Sequence, residues 1–189
     1  MRAVSVPDRI TDELKDFTVQ LRSEPPQYIP VKPAPGATPL NCHVNVKVRV
    51  KHEGGSIVYG WALWEMAPVF LEAHFHAIWS RSDGQRIDIT PPQDGENKLL
   101  FARDRNRVWA GKKVPHQYFP LARNRRAIAA VSFMGKLREL ECEFQDTRVI
   151  PESFLLSAIH SSALTLEEAR VTLRNTQILP RNYSIQSGC

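Results

Sequence analysis

Acyl transfer through a covalent intermediate needs a thiol that ionises, an imidazole that takes its proton, and a carboxylate that holds the imidazole in one orientation. The sequence holds Cys42, His76 and Asp88 in that chain order. Cys42 follows Thr38 and Asn41, both residue types that cap helices, and a thiol in the first turn of a helix is favoured as thiolate by the positive helix end. Each of the three also has a plainer reading. Cys42 can be an inert buried thiol, and Asp88 a solvent-facing strand residue. His74 and His76, two apart, can instead place two imidazoles on one strand face for zinc, with Cys42 or Asp88 completing the set.

The elements around these residues decide between the readings. VFLEAHFHAIW and QRIDIT read as two strands joined through Ser82-Asp83-Gly84, a hairpin signal. A two-residue loop pairs Trp79 with Asp88 and turns the carboxylate away from His76. A three-residue loop ending on Gly84 pairs Ile78 with Asp88 and sets it diagonal to His76, on the same face. The stretch from Asn41 to Gly55 is ambiguous. Val44, Val46, Val48 and Val50 alternate as in a strand, and β-branched residues disfavour helix. Val46 and Val50 nevertheless share a helical face, and Gly54-Gly55 is a natural helix end.

SIVYGWALWE, interrupted by Gly60, and LLFARD read as further strands. Residues 8–22 read as an amphipathic helix capped at Asp8 or Thr11. Arg123–Gln145 is the strongest helical pattern, and a capping box at Thr165–Glu168 starts a last short helix to about Leu173. The tail from Leu179 reads as loose. Six prolines between Pro25 and Pro39 make residues 24–39 an extended strap over the domain. The expectation is one α+β domain over 1–189: helix 8–22, strap 24–39, core 40–145 and a C-terminal helical segment 151–178.

HAIW followed after a short hairpin by IDITP resembles the transglutaminase-like group of the papain-like cysteine enzymes, with its His-Ala-Trp-like strand, its Asp-x-Thr strand and an upstream cysteine at a helix start. NCHVNV, GGSIVYGWALWE, FLEAHFHAIW, IDITPP and LLFARD are also similar to a family of short, mostly uncharacterised bacterial proteins; the likeness covers about residues 40–145. It implies a papain-like core with a helix at 42–53 packed on an antiparallel sheet. It implies Cys42 as nucleophile, His76 as base and Asp88 as orienting residue, needing no cofactor. In the transglutaminase pattern Trp follows the His by two residues; here Trp79 follows His76 by three, which puts it on the opposite face. The reaction implied is cysteine-dependent acyl transfer: amide hydrolysis, deamidation, proteolysis or crosslinking, on a peptide, protein or small amide. The Cys42 backbone N–H is one expected oxyanion donor, and Asn41, Asn45, Trp61 and Trp64 are side-chain candidates, the tryptophans having core packing as their plainer role. His43 reads as an exposed first-turn residue.

The chain has 189 residues, enough for one real core. Its three cysteines, Cys42, Cys142 and Cys189, form no CxxC pair, against a disulfide scaffold or zinc knuckle and in favour of a reducing compartment. No apolar run is long enough to span a bilayer, and the N-terminus has no signal-peptide core. The expected location is cytoplasmic, with export by another route left open. The net charge of +5 is uneven: Arg103, Arg105, Arg107, Lys112, Lys113, Arg123, Arg125 and Arg126 crowd one stretch. Such a face is either simply solvated or meets an anionic partner, and a non-catalytic basic binding module is the other reading of the whole protein.

Overall fold

The computed structural model describes residues 4–92, 95–176 and 184–186. The chain is mixed α+β with an antiparallel sheet, and it folds as two compact units, Met1–Met66 with Leu71–Gly111, and Ala67–Phe70 with Lys112–Cys189. Cys42, His76 and Asp88 all belong to the first. Its elements are α1 (Asp12–Gln20), β1 (Gln27–Pro30), α2 (Cys42–Glu53), β2 (Ser56–Met66), β3 (Phe70–Ser80), β4 (Arg86–Ile87) and β5 (Lys98–Arg103). The strand order is β1–β5–β2–β3–β4, with β1–β5, β2–β5 and β3–β4 antiparallel.

The proline-rich strap is more regular than its composition suggests. It contributes β1, and beyond Pro30 it runs beside the end of β4 through a parallel bridge from Val31 to Asp88. The strand path thus returns from its last member to its first. Proline lacks an N–H but keeps its carbonyl, and Pro30 uses that carbonyl to accept from the Asp88 N–H at 3.0 Å. Lys32 N–H donates to the Asp88 carbonyl at 2.8 Å, and Ala34 N–H to that of Ile89 at 3.0 Å.

Residues 42–53 are helical, against their local propensity. In a strand all four valines would share a face. In α2 they separate: Val46 is 0% exposed, whereas Val44 and Val48 are 43% and 50% exposed. The inward stripe is Cys42, Asn45, Val46 and Val50, the i, i+3, i+4, i+8 spacing of a helix. Val46 packs with Ala77, Trp79, Ile87 and Ile89, and Val50 joins from the edge. Burying such a side chain is worth about 1.5–3 kcal/mol, against a helix-propensity penalty of at most about 0.7 kcal/mol per valine. The helix stops at Gly54, at φ 71°, whose N–H donates to Val50 O at 3.0 Å.

The other strand cluster gathers Ile29, Val58, Ala62, Ile78, Leu99 and Phe101, with Val31 and Trp64 at its margin. Gly60 does not interrupt β2; it lets β5 come close. A Cβ there would lie 2.3 Å from the Ala102 carbonyl oxygen and 2.9 Å from Arg103 Cα, both backbone atoms that cannot swing aside. Gly60→Ala is therefore expected to cost about 3 kcal/mol through overpacking, measured as a lowered urea midpoint; an unchanged midpoint would mean that β5 shifts freely.

The second unit holds β6 (Gln117–Pro120), α3 (Arg125–Glu143), β7 (Val149–Pro151), α4 (Glu152–Ser161), α5 (Leu166–Thr176) and β8 (Ser184–Gln186). Asn124 caps α3, its side chain accepting from Ala127 N–H at 2.9 Å. The capping box forms as its residue types require: Thr165 N–H donates to Glu168 Oε2, and Glu168 N–H to Thr165 Oγ1. Nothing in the residue pattern at 117–120 announces β6, and α4 forms the first part of the expected C-terminal helical segment. The tail at 177–183 and 187–189, including Leu179 and Cys189, lies outside the described residues.

Candidate active site

Cys42 is the first residue of α2, with Asn41 at the N-cap position. The first-turn N–H groups of a helix have no intrahelical partner, so the thiol sits where unpaired donors and the positive helix end coincide. It is 8% exposed. His76 comes from β3 and Asp88 from the residue that follows β4. The β3–β4 register pairs Trp79 with Ile87 and Ser80 with Arg86. That is the register of the three-residue loop, with Arg81 N–H donating to Gln85 O at 2.9 Å and Gly84 at φ 84°. Continued by one residue it sets Ile78 against Asp88, and His76 Nε2 lies 2.9 Å from Asp88 Oδ2.

With Nε2 on the carboxylate, Nδ1 is the ring nitrogen left for the thiol. Burial pushes the Cys42 thiol up, but the charge of His76 and hydrogen bonds to His43 and His76 outweigh it, and the pKa falls from its ordinary 9.0 to about 5. For His76, burial disfavours the charged ring; Asp88 and the Cys42 sulfur outweigh it and raise the pKa from 6.5 to about 10. Between those values the pair rests as thiolate and imidazolium. Cys142, half-buried on α3, provides the contrast. It is also a free thiol, but burial there is not offset by an imidazole, and its pKa rises.

Asp88 needs both its oxygens. Oδ2 faces His76, and Oδ1 accepts from Thr90 N–H at 2.9 Å, a turn closed two residues ahead. Thr90 Oγ1 in turn accepts from Asn45 Nδ2 at 3.2 Å. Asn45 also donates to Thr38 O at 2.8 Å and accepts from Thr38 N–H at 3.1 Å. A line of hydrogen bonds therefore runs from His76 through Asp88, Thr90 and Asn45 to Thr38, fastening α2 to the strap and to the end of β4.

No family model, curated protein or solved structure matches this chain. What bears on the roles of its residues is their own geometry.

That geometry sorts the oxyanion candidates. Asn45 has both amide hydrogens and its oxygen committed, so it is a clamp and has no donor to spare. Trp61 Nε1 donates to buried Asp104 at 3.3 Å, and its ring meets Phe75 edge-on. Asn41 is exposed and donates one hydrogen to Thr38 Oγ1 at 3.3 Å. Trp64 has a buried Nε1 with no hydrogen-bond partner, but its ring lies against the Ile78–Phe101 cluster and 6.2 Å from His74. Trp79 faces the α2 side as its position implies: its Nε1 donates to Gly54 O at 3.0 Å, and Arg49 lies over the ring at 5.0 Å. It ties down the end of α2.

The two strand histidines turn to different carboxylates. His74 Nε2 lies 2.9 Å from Glu72 Oε1 and His76 Nε2 2.9 Å from Asp88 Oδ2. The basic residues divide between the units. In the first, Arg103 and Arg105 meet Glu24, and Arg107 lies 3.6 Å from Asp104 with its guanidinium over Trp61 and Phe75. In the second, Arg126 lies 3.2 Å from Glu168. No helix among the described residues is long and apolar enough to cross a membrane.

His43 corrects its sequence reading. It is half-buried and ring-stacked, not exposed. A histidine directly after a candidate nucleophile was the available signal; the rings that hold it come from distant parts of the chain and were not legible.

Proposed function

We propose that this protein is a cysteine-dependent acyl-transfer enzyme with Cys42 as nucleophile, His76 as acid and base, and Asp88 as the group that orients His76. The observation that carries the reading is the 2.9 Å contact between His76 Nε2 and Asp88, which leaves Nδ1 for a thiol drawn down to about pKa 5. Cys42 Sγ attacks the carbonyl carbon of an amide or ester, and the negative oxygen meets first-turn N–H groups of α2. His76 gives its proton to the leaving group, the C–N or C–O bond breaks, and a thioester on Cys42 remains. Water or an amine, deprotonated by His76, then attacks and releases the thiol. The choice between water and amine separates hydrolysis or deamidation from crosslinking. The helix-on-sheet arrangement is compatible with the papain-like, transglutaminase-like core that the sequence resembles. Arg107 and its basic neighbours favour substrates with acidic groups nearby, and the absence of a cysteine framework fits a cytoplasmic setting.

The test is trapping. Mixing the protein with an activated ester at pH 6 and quenching in acid is expected to leave one acyl group on the Cys42 peptide and none on the Cys142 peptide, by mass spectrometry, with loss of the adduct in Cys42→Ala. Acylation of both cysteines at similar rates would mean that Cys42 is not activated.

A further inference from the structure

Cys42 has two imidazoles beside it, and the scheme above uses only one. His43 stacks on Trp109 with centroids 4.7 Å apart and planes 7° from parallel. Phe75 at 5.6 Å and Tyr59 at 5.9 Å flank the same ring. Three aromatic side chains from β2, β3 and the segment after β5 thus hold the orientation of a residue at the first turn of α2. Its Nδ1 is buried and has no hydrogen-bond partner. Stability alone gives no reason to bury a polar nitrogen unpaired, since that costs free energy which a phenylalanine in the same stack would not.

We infer that His43 is a second imidazole partner of the nucleophile: an N–H of its ring, aimed by the stack on Trp109, holds the Cys42 thiolate while His76 exchanges protons with substrate. This deepens the acyl-transfer reading and rests on it. The groups that act on the thiol are His76 and His43. Asp88 stands behind His76, Tyr59 faces His43, and Arg107, paired with Asp104, covers the neighbouring Trp61 and Phe75 rings. The division of labour has a chemical logic. His76 alternates between charged and neutral as it gives its proton to the leaving group and takes one from water or an amine. A donor outside that proton circuit keeps an N–H on the sulfur side through both steps, and shields the thiolate from protonation by solvent.

Two variants separate this role from packing. His43→Phe keeps the stack and loses the N–H; His43→Gln keeps an N–H and loses the aromatic ring. The readout is the pH dependence of Cys42 alkylation by iodoacetamide, followed on the Cys42 peptide, with near-ultraviolet circular dichroism to show that the fold is retained. His43→Phe is expected to raise the midpoint by about one pH unit, a tenfold drop in the thiolate-to-thiol ratio at a given pH on the rising limb. Above both midpoints it should react up to about threefold faster, because a less stabilised thiolate is the better nucleophile. His43→Gln should recover at least half of the shift. A midpoint unmoved in His43→Phe, or moved equally in both variants, overturns the inference while leaving the triad intact. A wild-type midpoint near the ordinary thiol value overturns the nucleophile reading itself.

Discussion

His76→Ala moves the midpoint of Cys42 alkylation from about pH 5 to above about pH 8, into the ordinary thiol range. The sign follows from what His76 supplies. It is the largest influence that lowers the thiol pKa; without it burial works unopposed by His76, and only the helix end and His43 remain to favour the anion. Rate and midpoint respond differently. At pH 6 the thiolate fraction falls by about 300-fold for a shift of 3.5 units, but the thiolate that remains is less stabilised and about 40-fold more nucleophilic. The net slowing at pH 6 is therefore about tenfold, and above about pH 7 the variant should overtake the wild type. Stopped alkylation across pH 4–10, resolved by peptide mass, checks both limbs. Curves that coincide would show that the sulfur does not feel the imidazole.

Asp88→Asn should cost acyl transfer about 10²–10⁴-fold with the fold intact. Asp88 serves two donors with two oxygens: Thr90 N–H on Oδ1 and the His76 ring on Oδ2. Asparagine has one oxygen. If that oxygen stays on Thr90, the amide NH2 faces Nε2 and forces the ring proton onto Nδ1, where the lone pair that must receive the thiol proton belongs. If it turns to His76, Thr90 N–H is left buried and unpaired, at about 1–3 kcal/mol. The first outcome lowers the acylation rate with little change in stability, the second lowers the denaturation midpoint with less change in rate. Single-turnover acylation and urea unfolding of the same variant distinguish them. Wild-type values for both would remove Asp88 from the mechanism.

Much of this site was legible in the sequence, for local reasons. Ser82-Asp83-Gly84 specifies a loop in which glycine takes the positive φ, and that loop fixes which face Asp88 presents. The His76–Asp88 contact is thus written within thirteen consecutive residues. The helix at Cys42–Glu53 was not written that way. Its valines argue for a strand, and only burial against Ala77, Trp79, Ile87 and Ile89 from later in the chain reverses the balance. The same is true of Asn45 and His43. Their partners are Thr90, and the rings of Tyr59, Phe75 and Trp109, which the fold brings from far along the sequence. Gly60 looked like a flaw in a strand because the carbonyl it makes room for belongs to β5.

The strap has a kinetic consequence. Both backbone groups of Asp88 are held by residues 30–32, not by a neighbouring long strand. Transient lifting of that short stretch frees both backbone groups of Asp88 in one motion. Deuterium uptake at the Asp88 and Lys32 amides is expected to act as a clock for that opening, and a ligand that pins Pro30–Lys32 is expected to slow it without touching Cys42.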